Sequence, residues 1–139
     1  ILDSVSDVNP QAKFGGDLIS RIQNCLDGNF EELQNLIHSK IGEMIQSILL
    51  KHPVEVSKIA IVGNTVMHHI FSGLPIDSLS FYPFKSPDLS AQYLTPQQLK
   101  WDLPINTSIQ FAGLKKADVL NDKKQTILRF FGILQLLLQ

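Results

Sequence analysis

The sequence predicts an α/β domain, helices packed on a small sheet, from three observations. An apolar stripe at helical spacing runs from Phe30 to about Lys51. A short apolar run rich in β-branched residues follows, Ile59-Ala60-Ile61-Val62. A second helical stripe then starts directly after a small polar break, Gly63-Asn64-Thr65. Helix, buried strand, helix is the order in which α/β layers are built. A strand that is apolar at successive positions is covered on both faces, as in a sheet lying between other layers.

The elements follow in order. After a polar lead, SVSDVNPQAKFGGD, the spacing of Leu18, Ile19, Ile22, Cys25 and Leu26 predicts an amphipathic helix from about Asp17 to Asp27, with Asp17 as N-cap. Gly28-Asn29 interrupts it, and Asn29 with Glu32 three residues on approximates a capping box for a second helix. That helix carries Phe30, Leu33, Leu36, Ile37, Ile41, Met44, Ile45, Ile48 and Leu49 on one stripe, and Glu31, Gln34, His38, Lys40, Glu43 and Gln46 facing the other way. His52-Pro53 ends it, since the residue before a proline disfavours helix. The strand Val56–Val62 comes next. Val66, Met67, Ile70, Phe71 and Leu74 give the following helix its apolar side, closed by Gly73 to Pro75. From Ile76 to about Pro104 the prolines are dense enough to forbid long elements, and the segment reads as an ordered wrap with short turns. A strand is expected near Ser108 to Phe111. The last stretch, TILRFFGILQLLLQ from Thr126 to Gln139, reads as a helix whose wet edge is Arg129, Gly132, Gln135 and Gln139. It is shorter than the roughly 18 residues of a membrane span. Such a helix needs cover on most sides: either the covering surface lies in this domain, or it lies outside this chain and the end is a route to association, a homo-oligomer included.

At 139 residues, 44% of them hydrophobic, the chain is one domain's worth with enough apolar residues for a core. Lys+Arg 12 against Asp+Glu 13 leaves a net charge of -1, which lacks the basic field nucleic acid binding needs. Cys25 is the single cysteine and permits no internal disulfide, and the N-terminus shows no charged leader followed by an apolar core. Cytoplasm is the expected compartment, with neither membrane nor nucleic acid as partner. The chain begins Ile1-Leu2-Asp3 without an initiating Met and reads as a piece of a longer protein.

The candidate chemistry centres on Gly63, Asn64 and Thr65. In open α/β sheets ligands collect outside the carboxyl ends of strands, where helix N-termini offer N–H groups to phosphates. Gly63 allows close backbone approach, and Asn64 or Thr65 either caps the helix or also bonds a ligand. The residues alone leave both readings open. His68 and His69 are adjacent, so on a helix they point about 100° apart, whereas ligand pairs sit three or four residues apart. No metal site is expected; local hydrogen bonding is. Cys25 continues the Leu18, Ile22 stripe and reads as a small core residue. No glycine-rich phosphate loop and no Ser/His/Asp grouping occurs. Asn9-Pro10-Gln11 with Phe14, Gly15 and Asp17 reads by itself as a turn and a helix cap.

Taken together, NPQAKFGGDLISRI (Asn9 to Ile22), GNTVMHH (Gly63 to His69) and FYPFKSP (Phe81 to Pro87) resemble, in sequence and spacing, the ATPase region of the reductive activators of corrinoid proteins. The matching residues are Asn9, Pro10, Gln11, Gly15, Asp17, Ser20, Arg21, Gly63, Asn64, Thr65, Met67, His69, Pro83, Phe84 and Pro87. The resemblance covers about 8–87, continues more weakly to 111, and leaves 112–139 as an unassigned apolar helical tail. An Asp-Ile-Gly-Thr-type strand turn, which that family carries just upstream of the Asn-Pro-Gln segment, is absent.

The resemblance implies a partial RNase H-like lobe of an actin-like ATPase, the whole of 1–139 being a single partial domain. It implies that the parent protein uses ATP and Mg²⁺ to drive the uphill reduction of a protein-bound corrinoid from Co(II) to Co(I). Electrons would come from an iron–sulfur module outside these residues, with a corrinoid protein as partner. It tips the corner at Gly63, Asn64 and Thr65 toward a nucleotide-cleft role, together with Asn9 and Gln11, and it assigns no catalytic base. The chain alone is expected to be inactive and to need no cofactor. The rival readings are a small-molecule kinase of the same superfamily and a non-catalytic interaction or structural module.

Overall fold

The computed structural model describes residues 3–113, together with the backbone of 126–130 and 133–138. Six strands form one sheet in the order β1-β6-β5-β2-β4-β3, where β1 is Asp3–Val8, β2 Lys58–Val62, β3 Gln92–Leu94, β4 Ser108–Phe111, β5 Thr126–Phe130 and β6 Ile133–Leu138. β2 pairs in parallel with β4 and with β5, while β6 runs antiparallel to both β5 and β1, and β3 antiparallel to β4. Four strands, β1, β5, β2 and β4, therefore point the same way and share a carboxyl end. This α/β arrangement, helices on a small sheet, is the class the sequence predicts.

The buried run Ile59-Ala60-Ile61 is the hub. Ile59 and Ile61 are wholly buried and pack with Ile109 and Phe111 of β4. Helix α2, Phe30–Lys51, lays Ile37, Ile41, Met44, Ile45 and Ile48 on the same cluster. Each such side chain contributes about 1.5–3 kcal/mol through removal of apolar surface from water. Helix α1, Leu18–Asn24, starts at Asp17, whose carboxylate accepts the Ser20 N–H at 2.8 Å, as expected. A second cluster joins Cys25 and Leu33 to Val66 and Ile70 of helix α3, Thr65–Ser72, and to Ile76 and Leu79 of the wrap. With Met67 and Phe71 on the first cluster, α3 is buried around its whole circumference.

Four expectations are corrected. The polar lead forms β1, an edge strand. Its pattern is too weakly alternating to show in sequence, because only Val5 of its residues packs against the core. Asn29 makes no side-chain cap, because the chain does not restart there: α1 passes through a π-helical turn, Cys25–Asn29, into α2, with Gly28 at φ 96° absorbing the kink. Gln34, His38, Lys40 and Gln46 do not simply face water; each bonds another element. The terminal run expected as an apolar helix is the hairpin β5–β6, with Phe130 opposite Leu134. A strand between two others needs apolar residues at successive positions, as a buried helix does, and a short apolar run does not distinguish them. Association through a helical face has no helix in 126–130 or 133–138 to use. The wrap behaves as predicted, with helix α4, Pro96–Leu99, closed by a capping box between Thr95 and Gln98.

Candidate functional site

The corner between β2 and α3 lies at the carboxyl end of the sheet. Asn64 is exposed, with Gly63 and Thr65 half-buried beside it. The Asn64 side-chain oxygen accepts the Met67 N–H at 3.0 Å, so this residue caps α3. That satisfies one of the first-turn N–H groups that no helix can satisfy internally, and it leaves the amide nitrogen of Asn64 as a donor at the surface. Next to the corner, the Ala112 N–H donates to the Ile61 carbonyl at 2.8 Å, continuing the β2–β4 ladder past Phe111.

Asn9 and Gln11 follow β1, whose end points the same way. The register sets Val8 against Ile133 and Val62 against Arg129, so the two corners flank the closed end of the β5–β6 hairpin. Three strand spacings separate β1 from β2, about 14 Å. The two corners are thus on one end of the sheet. Their burial differs too: Asn9 and Gln11 are 0% and 2% exposed. Asn9 accepts the Gln11 N–H at 2.9 Å, and the Gln11 amide donates to the Leu33 carbonyl at 2.9 Å, which ties the 3-10 turn Pro10–Phe14 to α2. Gly15, at φ 118°, lies so close to Ser20 that an added Cβ would sit 2.3 Å from the serine Cβ.

His68 and His69 are both fully buried. His69 Nδ1 bonds the Pro75 carbonyl at 2.6 Å and Nε2 bonds Ser86 Oγ at 2.7 Å. His68 Nε2–H donates to the Ser90 carbonyl at 3.0 Å, while its Nδ1 is buried without a partner. Burial lowers the His68 pKa, with the neighbouring His69 adding to the effect. The pair therefore fastens α3 to the wrap, whose loop displays Phe81, Tyr82 and Phe84 to solvent. Among the described residues no three His, Cys, Asp or Glu side chains converge. Cys25 is buried, and its surroundings push the thiol up to about 11.

Sequence reasoning missed the partners of α2. Gln34 donates to the Ile70 carbonyl at 3.1 Å and His38 Nε2–H to the Phe71 carbonyl at 2.8 Å, so α2 closes the carboxyl end of α3. Their spacing of four residues put them on one helix face, the only signal available. A groove of 680 Å³ along α2 is bordered by Gly42, Glu43, Lys100, Trp101 and Asp102, and another of 490 Å³ lies near Gly28; neither is lined by Asn9, Gln11, Gly63, Asn64 or Thr65.

The family model for the RACo middle region matches residues 1–115. The solved structure of a "Reductive activator for corrinoid,iron-sulfur protein" is similar with a TM-score of 0.64 at 28% identity, over 73% of this chain and 17% of that one. The chain thus spans less than a fifth of that protein's length. No curated protein sequence matches. Matched across most of its length and alike in fold to a reductive activator, the chain belongs to the RACo middle region family.

Proposed function

We propose that this chain is part of an ATP-dependent reductive activator of a corrinoid protein. One electron, given up by a reduced iron–sulfur centre outside these residues, converts Co(II) to Co(I) in the partner. ATP with Mg²⁺ supplies the driving force by favouring one arrangement of the parent's lobes over another. The observation that carries the reading is the 28% identity to a reductive activator over 73% of the chain, at a TM-score of 0.64.

In this reading the β2–α3 corner is one edge of the nucleotide cleft. The donor set fits a phosphate: first-turn N–H groups of α3 and the exposed Asn64 amide sit together at a helix N-terminus. Asn9 and Gln11 act through position, since their polar groups are engaged with the backbone. The chain alone supplies one edge and turns over no ATP. A single buried Cys25 is in keeping with the reducing cytoplasm.

Calorimetry with ATP and Mg²⁺ on this chain and on the longer protein tests the cleft, and a spectroscopic assay of corrinoid reduction by the longer protein tests the activity. Binding by the longer protein with ATP-dependent appearance of Co(I) supports the reading. ATP binding without corrinoid reduction points to a small-molecule kinase, and no binding by either points to an interaction module.

A further inference from the structure

Arg21, on α1, is 4% exposed and is the one buried lysine or arginine among the described residues. Taking a guanidinium out of water is costly unless a carboxylate or a full set of hydrogen bonds replaces the water. The described residues supply neither. None of their ion pairs includes Arg21. The single hydrogen bond of its side chain among them runs from Nε–H to the Gly15 carbonyl at 3.4 Å, beyond the usual range for such a bond. Asp17 is near enough for its charge to favour the guanidinium, but its two oxygens are engaged by the Ser20 N–H and Oγ–H, each at 2.8 Å. Burial outweighs that charge and lowers the pKa of the arginine.

The residue is nevertheless held in place. Asn24 donates to the Phe14 and Ser20 carbonyls at 2.8 and 2.9 Å, and Gly15 lies against Ser20, so the turn before α1 is fastened to the helix that carries Arg21. Gln11 fastens the same turn to α2. The carbonyl on which the guanidinium leans is thereby fixed. Neither Nη has a partner among the described residues, and neither is sealed from solvent. A planar fork of N–H donors, fixed at Nε and open at both Nη atoms, matches two oxygens of a phosphate. The turn follows β1, so the fork stands at the carboxyl end of the sheet, the end that also carries the β2–α3 corner.

We propose that Arg21 is an anion-binding residue whose Nη N–H groups take two oxygens of a phosphate group. The phosphate supplies the counter-charge that the surrounding residues withhold. The choice of phosphate among anions rests on the nucleotide reading above, and its source is either the nucleotide or free inorganic phosphate.

Urea midpoints of this chain in sodium phosphate, and in sodium chloride at matched ionic strength, test the site. A ligand of the folded state raises the midpoint, so the rise with phosphate is expected to be larger in the wild type than in Arg21→Met, which keeps the apolar stem without the charge. The general salting effect of phosphate is common to both. In chloride alone, Arg21→Met is expected to match or exceed the wild type, because an uncompensated charge has gone. Arg21→Lys keeps the charge without the fork and is expected to need about tenfold more phosphate for the same rise. An equal rise in the wild type and both variants overturns the site. A lowered midpoint of Arg21→Met in chloride, or its failure to fold, overturns the unpaired charge, and a wild-type excess of the same size with acetate overturns the assignment to phosphate. Calorimetry of the longer protein with ATP and Mg²⁺ separates the sources. Binding at least about tenfold weaker in Arg21→Met assigns the phosphate to the nucleotide, and undiminished ATP affinity beside an intact phosphate response assigns free phosphate. If the longer protein binds no ATP while phosphate still stabilises through Arg21, the site stands and the nucleotide reading falls.

Discussion

The indole Nε1–H of Trp101 donates to the main-chain carbonyl of His38 at 2.7 Å, reaching a helix backbone that side chains normally screen. It can do so because Gly42, one turn on, has no side chain: a Cβ there would lie 2.9 Å from the indole Cδ1. The contact fixes the segment after α4 against α2, at the groove they share.

Trp101→Phe is expected to lower stability by about 1–2 kcal/mol through loss of the donor and of ring volume. Gly42→Ala should cost about 1–3 kcal/mol by overpacking, despite alanine's better helix propensity. Urea midpoints measure both, and a stabilised Gly42→Ala variant would contradict the packing described.

Stability should fall as the pH drops below neutrality. Burial lowers the pKa of His38 and of His68 in the folded state, so the unfolded chain binds protons first. The contribution is complete above the ordinary histidine value of about 6.5 and is lost as pH falls through it toward the lowered folded values. Urea midpoints between pH 7.5 and 5 give the slope. His68→Gln, which cannot titrate, should flatten it.

Asn64 separates capping from ligand binding. Asn64→Ala should cost about 1 kcal/mol by loss of the cap, while Asn64→Asp should keep stability because aspartate caps equally well. In the longer protein Asn64→Asp should nevertheless weaken ATP binding by charge repulsion, measured by calorimetry. Unchanged affinity would reduce the residue to a cap.

His69→Ala removes the bonds to the Pro75 carbonyl and Ser86 Oγ, at a cost of about 1–3 kcal/mol. Lys85 is exposed in the loop that these bonds secure, so trypsin should cut after it faster in the variant under native conditions. Native-like resistance would show that the loop is held by other contacts.

Cys25 should not react with a thiol reagent at pH 8 until the chain unfolds, since burial keeps the thiol protonated. Time courses in increasing urea should track unfolding.

The sequence by itself determined the elements whose signal is local. The Ile59–Val62 strand, the stripe of α2, the cap at Asp17 and the breaks at Gly73 and Pro53 all follow from periodicity and from which residues can satisfy a helix end, whereas the choice of Asn64 over Thr65 as the cap of α3 came from the structure. The motifs containing Asn9 and Asn64 also carried the family, because three ordered motifs are specific where each alone is a turn. Only the tertiary structure decided how the strands are assembled. Residues 126–130 pair with β2 and 133–138 with β1, strands distant in the chain, and no local pattern encodes that choice. The buried states of Gln11, His68 and His69 likewise depend on carbonyls and a hydroxyl brought in from elsewhere in the chain. A residue's partners across space are fixed by packing, and one-dimensional spacing does not encode them.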